Sequence, residues 1–120
     1  MTNPLKGEVE IELSGQTYKC RLTIDSLVKI EDELDKGILE LTTDISQAKI
    51  RMRTLITVLR YAMRGGGNDF DDKKIKQILA KAGIIRSSTV VAQLLADTLN
   101  DPESEEEEGD SSKKLQETQE

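Results

Sequence analysis

Two short segments near the start of the chain alternate strictly between polar and apolar residues. Glutamates alternate with Val, Ile and Leu over residues 8–13, and Tyr, Cys, Leu and Ile alternate with polar residues over 18–24. A period of two is typical of a strand with one buried face. Ser14-Gly15 lies between the segments, and glycine tolerates the positive φ of a tight turn. The pattern predicts an antiparallel β-hairpin over residues 8–24.

A two-residue turn at Ser14-Gly15 also predicts the register of this hairpin. The predicted pairs are Leu13 with Gln16, Ile11 with Tyr18 and Val9 with Cys20 on one face, and Glu10 with Lys19 and Glu8 with Arg21 on the other. A slip by one residue would place apolar side chains opposite charges. Cys20 is therefore expected in the core, and a reactive thiol is not expected.

From residue 25 to residue 100, apolar residues recur three and four positions apart, which is typical of amphipathic helices. Asp25 or Ser26 is expected to cap the first helix and Gly37 to end it, while Ser87 or Ser88 is expected to begin the last. The predicted helices cover about residues 26–36, 38–48, 52–64, 71–82 and 88–99. The fold class is therefore α+β, with the hairpin packed on a small bundle of four to five helices in one domain, residues 1–100.

Two of these helices have unusually wide apolar faces. In the helix over 52–64 apolar side chains cover roughly 220° of the helical wheel, which predicts a central position. The last helix has an apolar face of roughly 180°, which is wide for a terminal helix in so small a domain. Val90 and Leu94 are expected to face the core. The flank that is expected to remain uncovered consists of Val91, Leu95 and Leu99.

The charge of the chain is concentrated at its C-terminal end. Residues 101–120, the acidic segment, carry nine carboxylates against two lysines, a net charge of −7 in a chain whose total is −6. The segment has one apolar side chain, Leu115, so it is expected to be disordered. It is interpreted either as a solubilising segment or as a docking element for a basic surface.

Composition also bounds the chemistry. The 120-residue chain has no His and a single Cys, so the commonest general base and transition-metal ligand are absent. No apolar run approaches the ~20 residues that cross a bilayer, and residues 1–4 lead into no signal segment. We therefore expect a cytoplasmic protein with no enzymatic activity, cofactor, metal, membrane contact or small-molecule ligand.

Three local patterns suggest sites but fit other interpretations better. Residues 65–67 are three glycines without the Lys-Ser/Thr ending of a phosphate loop, so they are interpreted as a flexible linker. The carboxylates at Asp69, Asp71 and Asp72 lack the spacing of a calcium loop and are expected to cap a helix. A helix-turn-helix over 77–95 is not favoured, because residues 88–99 contain no Lys or Arg to contact nucleic acid.

The order and spacing of several segments are similar to those of a known family. The segments are Asn3, Gly7-Glu8-Val9, the hairpin, Leu27-Val28-Lys29-Ile30-Glu31, Leu55-Ile56-Thr57-Val58-Leu59-Arg60 and Arg64-Gly65-Gly66-Gly67. Together they resemble the small tail-assembly proteins of gene transfer agents and related tailed phages, over residues 2–99. Tyr61 and Met63 are bulkier than the small residues expected there, and the acidic segment is longer.

The resemblance implies a tail assembly chaperone, which covers the apolar tape-measure protein before the tail tube polymerises around it and is not expected in the mature particle. The alternative is a structural tail-tube component, and a second alternative is a cytosolic regulator that binds another protein. Tube subunits are expected to form rings through β-sandwiches, whereas this pattern is mostly helical. The expected partners are the tape-measure protein and tail-tube subunits. The expected contact residues are Val91, Leu95, Leu99 and Met63.

Overall fold

In a computed structural model, which describes residues 7–100, the chain begins with the predicted hairpin. Strand β1 (Glu8–Leu13) pairs antiparallel with β2 (Gln16–Arg21), and the register has every predicted pair. Ser14 and Gly15 both have positive φ, at 58° and 80°, as a two-residue hairpin turn requires. The second strand ends at Arg21 rather than 24, because the chain turns there into the first helix. The predicted disorder of residues 101–120 lies outside the described residues.

Five helices follow the hairpin in the described part of the chain, which confirms the α+β class. They are α1 (Ile24–Leu34), α2 (Ile38–Ser46), α3 (Met52–Gly65), α4 (Asp72–Ala82) and α5 (Ile84–Asn100).

The boundaries of α1 differ from the prediction at both ends. Thr23, rather than Asp25 or Ser26, is the N-cap, and its Oγ1 accepts a hydrogen bond from the Ser26 amide at 3.1 Å. The helix ends at Asp35, which adopts a left-handed conformation with φ of 55°, so Gly37 does not end it. Gly37 instead precedes α2 as its N-cap, where any residue with extended backbone would fit.

The last helix begins one turn earlier than predicted. α5 starts at Ile84, directly after Gly83, and neither Ser87 nor Ser88 begins it. Ser87 lies within the first turn of the helix and its side chain is buried. Its hydroxyl donates to the carbonyl of Gly83, the residue before the helix, at 2.7 Å. Gly83 has a φ of 92° and is the single residue between α4 and α5, which meet at 113°. At the other end of α4 Asp71 is the N-cap, in agreement with the prediction.

The core is built around α3, as its wide apolar face predicts. This helix contacts β2, α1, α4 and α5. Arg53 and Arg64 on its polar sector are exposed, whereas Thr57 on the same sector is completely buried. The hairpin contributes Leu13 and Cys20 to the same core, and Leu22 follows from the connection to α1. Cys20 is fully buried, as predicted, and burial raises the pKa of its thiol to about 12. The neutral thiol is therefore a core side chain.

Candidate interaction surface

The flank predicted to be uncovered is covered. Val91, Leu95 and Met63 are completely buried, and Leu99 is half-buried against the core. The prediction that these four side chains form an exposed contact surface is therefore wrong. The cause is tertiary: α5 is surrounded by α2, α3, α4 and β1, so both of its apolar flanks have partners inside the chain.

An exposed apolar surface lies instead where α2 meets α5. A groove of about 610 Å³ runs between α2, the connection 47–51 and α5. We call it the α2–α5 groove. Buried Leu95 lies at its floor. The apolar side chains along its walls are isoleucines and alanines: Ile45, Ile50, Ile84, Ile85, Ala48, Ala92 and Ala96.

Two adjacent isoleucines make this groove unusual. Ile85 is 82% exposed and Ile84 is 42% exposed. Such exposure is unfavourable, because moving a large aliphatic side chain out of water lowers the free energy. Both belong to the first turn of α5, which the sequence pattern did not include in the helix. An Ile-Ile pair directly after a helix-terminating glycine is the signal that could have identified it.

Two basic residues are neighbours in sequence of residues that line the groove. Lys49 and Arg51 are exposed on the connection 47–51, next to the lining residues Ala48 and Ile50. The α2 side is different, since Asp44 is paired with Lys36 at 2.7 Å. Among the described residues, the lining of the groove itself has no charged side chain, and the two basic residues lie on the connection beside it.

A cluster of charged side chains links α3 to α1 and α4. The guanidinium of Arg60 donates to both carboxylate oxygens of Glu33 on α1, at 2.7 and 2.8 Å, and to Asp72 on α4 at 2.6 Å. Arg53 also donates to Asp72, at 3.1 Å, and the Tyr61 hydroxyl donates to Glu33 at 3.1 Å. The Arg60 side chain is only 11% exposed, whereas the Glu33 and Asp72 side chains remain 33% and 40% exposed, so the guanidinium is shielded from water and its carboxylate partners lie at the surface.

The protonation of this cluster follows from its contacts. The hydrogen bond from Arg60 is the main cause that lowers the pKa of Glu33, against the smaller opposite effect of burial. The hydrogen bonds from Arg53 and then Arg60 lower the pKa of Asp72. Burial acts to lower the pKa of Arg60, but its bonds to Glu33 and Asp72 outweigh that and raise it. Each group is held in its charged form, which fits an ionic clamp between helices.

The three consecutive glycines do more than link two helices. A Cβ atom on Gly65 would collide with the Arg21 carbonyl, and one on Gly66 would collide with the Lys19 carbonyl. The end of α3 therefore packs directly on the backbone of β2. The side-chain amide of Asn68 stabilises the same contact, because its Nδ2 donates to the Lys19 carbonyl at 2.9 Å. The interpretation of 65–67 as a flexible linker is wrong, because two of the glycines are required by this close approach.

The other sequence patterns have structural roles. Asp71 accepts a hydrogen bond from the Lys74 amide as a helix cap, and Asp72 belongs to the charged cluster. Within residues 7–100 no group of three or more His, Cys, Asp or Glu is placed to hold a metal ion. No single helix of that region is long and apolar enough to cross a membrane, and α4 and α5 reach the length and composition only as a pair bent by 113°.

The fold and the groove define a small α+β protein with a surface suited to another polypeptide. Comparison with family models gives the identity of the class: the family described as "Phage tail tube protein, GTA-gp10" matches residues 6–101. This match covers most of the chain, so the protein belongs to that family and is a phage or gene-transfer-agent tail protein, as its resemblance predicts. Comparisons with curated proteins and with solved structures gave no match.

Family membership gives the general process in which the protein acts. The protein works in the tail of a phage or gene-transfer-agent particle or in building it, and its partners are other tail proteins. The family description does not separate an assembly factor from a tube component.

Proposed function

We propose that the protein is a tail assembly chaperone. It binds apolar helical segments of the tape-measure protein in the cytoplasm of the bacterial host, before the tail tube polymerises, and then leaves. The observation that supports this function is the α2–α5 groove, with Ile85 exposed on its wall. The groove replaces the buried flank as the contact surface.

The dimensions of the groove suit a helix. Its lining residues on α5 run from Ile84 to Ala96, which is about 18 Å along a helix axis at 1.5 Å per residue. A partner helix would present about three turns over that length, with anchors at positions i, i+3, i+4 and i+7. Covering the Ile85 side chain is worth roughly 1.5–3 kcal/mol before association costs. One contact of this size is weak, so many copies would act along one long chain and release readily.

The proposal includes no chemical step. The charged cluster of Arg60, Glu33 and Asp72 is engaged in ion pairs between helices, and the Cys20 thiol is buried and neutral. We therefore expect a binding protein without enzymatic activity or cofactor.

A structural tail-tube component is the second candidate, because the family description contains the words "tail tube protein". Against it, the sheet in residues 7–100 has two strands, whereas a tube ring built from β-sandwiches needs extended edges from more strands. Purified particles distinguish the two candidates by quantitative mass spectrometry. A chaperone would be nearly absent, and a tube subunit would be present in many copies.

The test of the chaperone function is coexpression with the tape-measure protein from the same genome. Wild type should keep the tape-measure protein soluble, and Ile85→Glu should return most of it to the insoluble fraction. Val28→Glu is the matched control, because Val28 is 47% exposed on α1 and does not line the groove. Equal solubility of the tape-measure protein with both variants would remove the α2–α5 groove as the binding site.

A further inference from the structure

The outer side of α4 carries the densest positive charge of the described residues. Lys73, Lys74, Lys76 and Lys81 are all exposed there, and we call them the lysine face. We propose that the lysine face is the docking surface for this chain's own acidic segment, residues 101–120. The lysine face lies on α4, outside the lining of the α2–α5 groove, and the inference does not rest on the proposed chaperone function.

The helix geometry forces these lysines outward together. At 100° per residue the four lysines, with Gln77 and Ala80 between them, occupy an arc of about 160°. The remaining arc is anchored in the core by Ile75, Ile78 and Leu79. The lysine face spans nine residues, about 12 Å of helix, so its charges lie close enough to act on one bound segment.

The lysine face has no counter-charge among residues 7–100. Lys73, Lys76 and Lys81 form no ion pair with any described residue, and Lys74 lies over the Phe70 ring at 5.6 Å. The nearest carboxylates in sequence are already engaged, since Asp71 caps α4 and Asp72 binds arginines.

A second groove adjoins the lysine face and is also free of carboxylates. It measures about 430 Å³ and separates α4 from the hairpin turn. Its walls include Lys74 and Lys81 from α4 and Gln16 and Tyr18 from the hairpin. An acidic segment placed along α4 would therefore meet lysines and neutral hydrogen-bonding groups, without repulsion from a like charge.

The chain itself supplies the complementary segment. Residues 101–120 carry nine carboxylates and follow directly after the last residue of α5. Twenty residues reach up to about 68 Å when extended, which exceeds the roughly 25 Å length of α5, so the segment is long enough to return to α4. Because it is tethered, its effective concentration is on the order of millimolar, which favours it over a free acidic partner.

Zero-length carbodiimide cross-linking of the full chain tests the contact and its origin. We expect amide links from Glu105–Glu108 to Lys73, Lys76 or Lys81, and a yield reduced about fivefold at 0.5 M salt because the contact is electrostatic. An equimolar mixture of ¹⁴N and ¹⁵N chains should give links within one isotope only. Mixed-isotope links would overturn the proposal in favour of a second copy, and links spread evenly over all lysines would overturn it outright.

Lysine acetylation provides an independent readout that leaves the lysine face intact. Changing Glu105, Glu106, Glu107 and Glu108 to Gln should raise the acetylation rates of Lys73, Lys76 and Lys81 about two- to threefold in the full chain. The matched control neutralises four exposed carboxylates of the body (Asp32, Glu40, Asp69 and Asp97) and should leave those rates unchanged. Equal rates in wild type and the Gln variant would overturn the proposal.

Discussion

Two contacts between elements of this molecule are built in opposite ways. The end of α3 lies so close to β2 that Gly65 and Gly66 have no room for a side chain. The contact of α2 with α5 is looser and leaves a groove of about 610 Å³ with isoleucines along it. In the first contact, backbone atoms of the two elements touch directly. In the second, side chains line a groove between the two helices.

The difference in packing between these two contacts indicates which of them can accept a partner. A contact made by backbone atoms leaves little freedom to accept a partner, since every atom of it is already packed. A contact that leaves large aliphatic side chains in water retains hydrophobic free energy that a partner can recover. We therefore attribute stability to the α3–β2 contact and propose the α2–α5 groove as the partner-binding surface.

The largest expected loss of stability is at the floor of the α2–α5 groove. Leu95→Ala should destabilise the protein by about 2–5 kcal/mol, because Leu95 is fully buried and its removal leaves a cavity. Leu39→Ala makes the same chemical change at a side chain that is 72% exposed on α2, and it should cost less than about 1 kcal/mol. Urea unfolding followed by circular dichroism measures both. Equal losses would contradict the burial of α5.

The next effect tests the close contact. Gly66→Ala should destabilise by about 1–3 kcal/mol, because the new Cβ would collide with the Lys19 carbonyl and push the hairpin from α3. Gly37→Ala is the matched control, since its Cβ would have no atom nearer than 3.9 Å and its φ is −69°. Thermal unfolding compares the two. A Gly66→Ala protein as stable as wild type would mean that the helix end is not fixed on β2.

A smaller effect depends on pH and tests the charged cluster beside α3. Glu33→Gln should cost about 1 kcal/mol at pH 7, because it removes a charged acceptor from Arg60, and the exposure of Glu33 to solvent screens part of this interaction. The folded pKa of Glu33 is lowered below its ordinary 4.5, so its stabilisation is present above pH 4.5 and is lost as the pH falls through the lowered value. The stability difference between wild type and variant should therefore shrink on acidification.

The control for this pH dependence is the neighbouring carboxylate. Asp32 is exposed, and no hydrogen bond or ion pair joins it to another described residue, so Asp32→Asn should give a small difference at every pH. Urea unfolding between pH 3 and pH 7 provides both curves. A constant penalty for Glu33→Gln over that range would show that its charge does not stabilise the fold.

The smallest expected effect concerns the wall of the groove. Ile85→Glu should change the free energy of unfolding by less than about 0.5 kcal/mol, because the side chain is already 82% in water. The same small change is expected for Val28→Glu, the control of the coexpression experiment. Differential scanning calorimetry verifies both before binding is compared. A large loss for Ile85→Glu would mean that Ile85 belongs to the core.

Much of the fold could be predicted because it depends on local patterns. Alternation and a two-residue turn determine the hairpin register, so the pairs from Val9–Cys20 to Leu13–Gln16 were predictable. The apolar arc of α3 predicted its central position because a helix that is apolar on most sides must be surrounded.

The interaction surface could not be predicted, because it depends on which elements meet. The apolar flank of Val91 and Leu95 has the same pattern whether a partner or the rest of the chain covers it, and here both side chains are completely buried within the molecule. Ser87 has the residue type of a helix cap, yet its hydroxyl bonds to the Gly83 carbonyl inside α5. The helix therefore starts earlier and exposes Ile85, a feature that the predicted boundary concealed.

The central claim is that the tape-measure protein binds in the α2–α5 groove. The most direct measurement is amide hydrogen exchange of the full chain, with and without a soluble apolar segment of that protein. We expect slower exchange in the connection 47–51 and in the first turn of α5, with the hairpin unchanged. Protection confined to the hairpin or to α4, with these two segments unaffected by the bound segment, would contradict it.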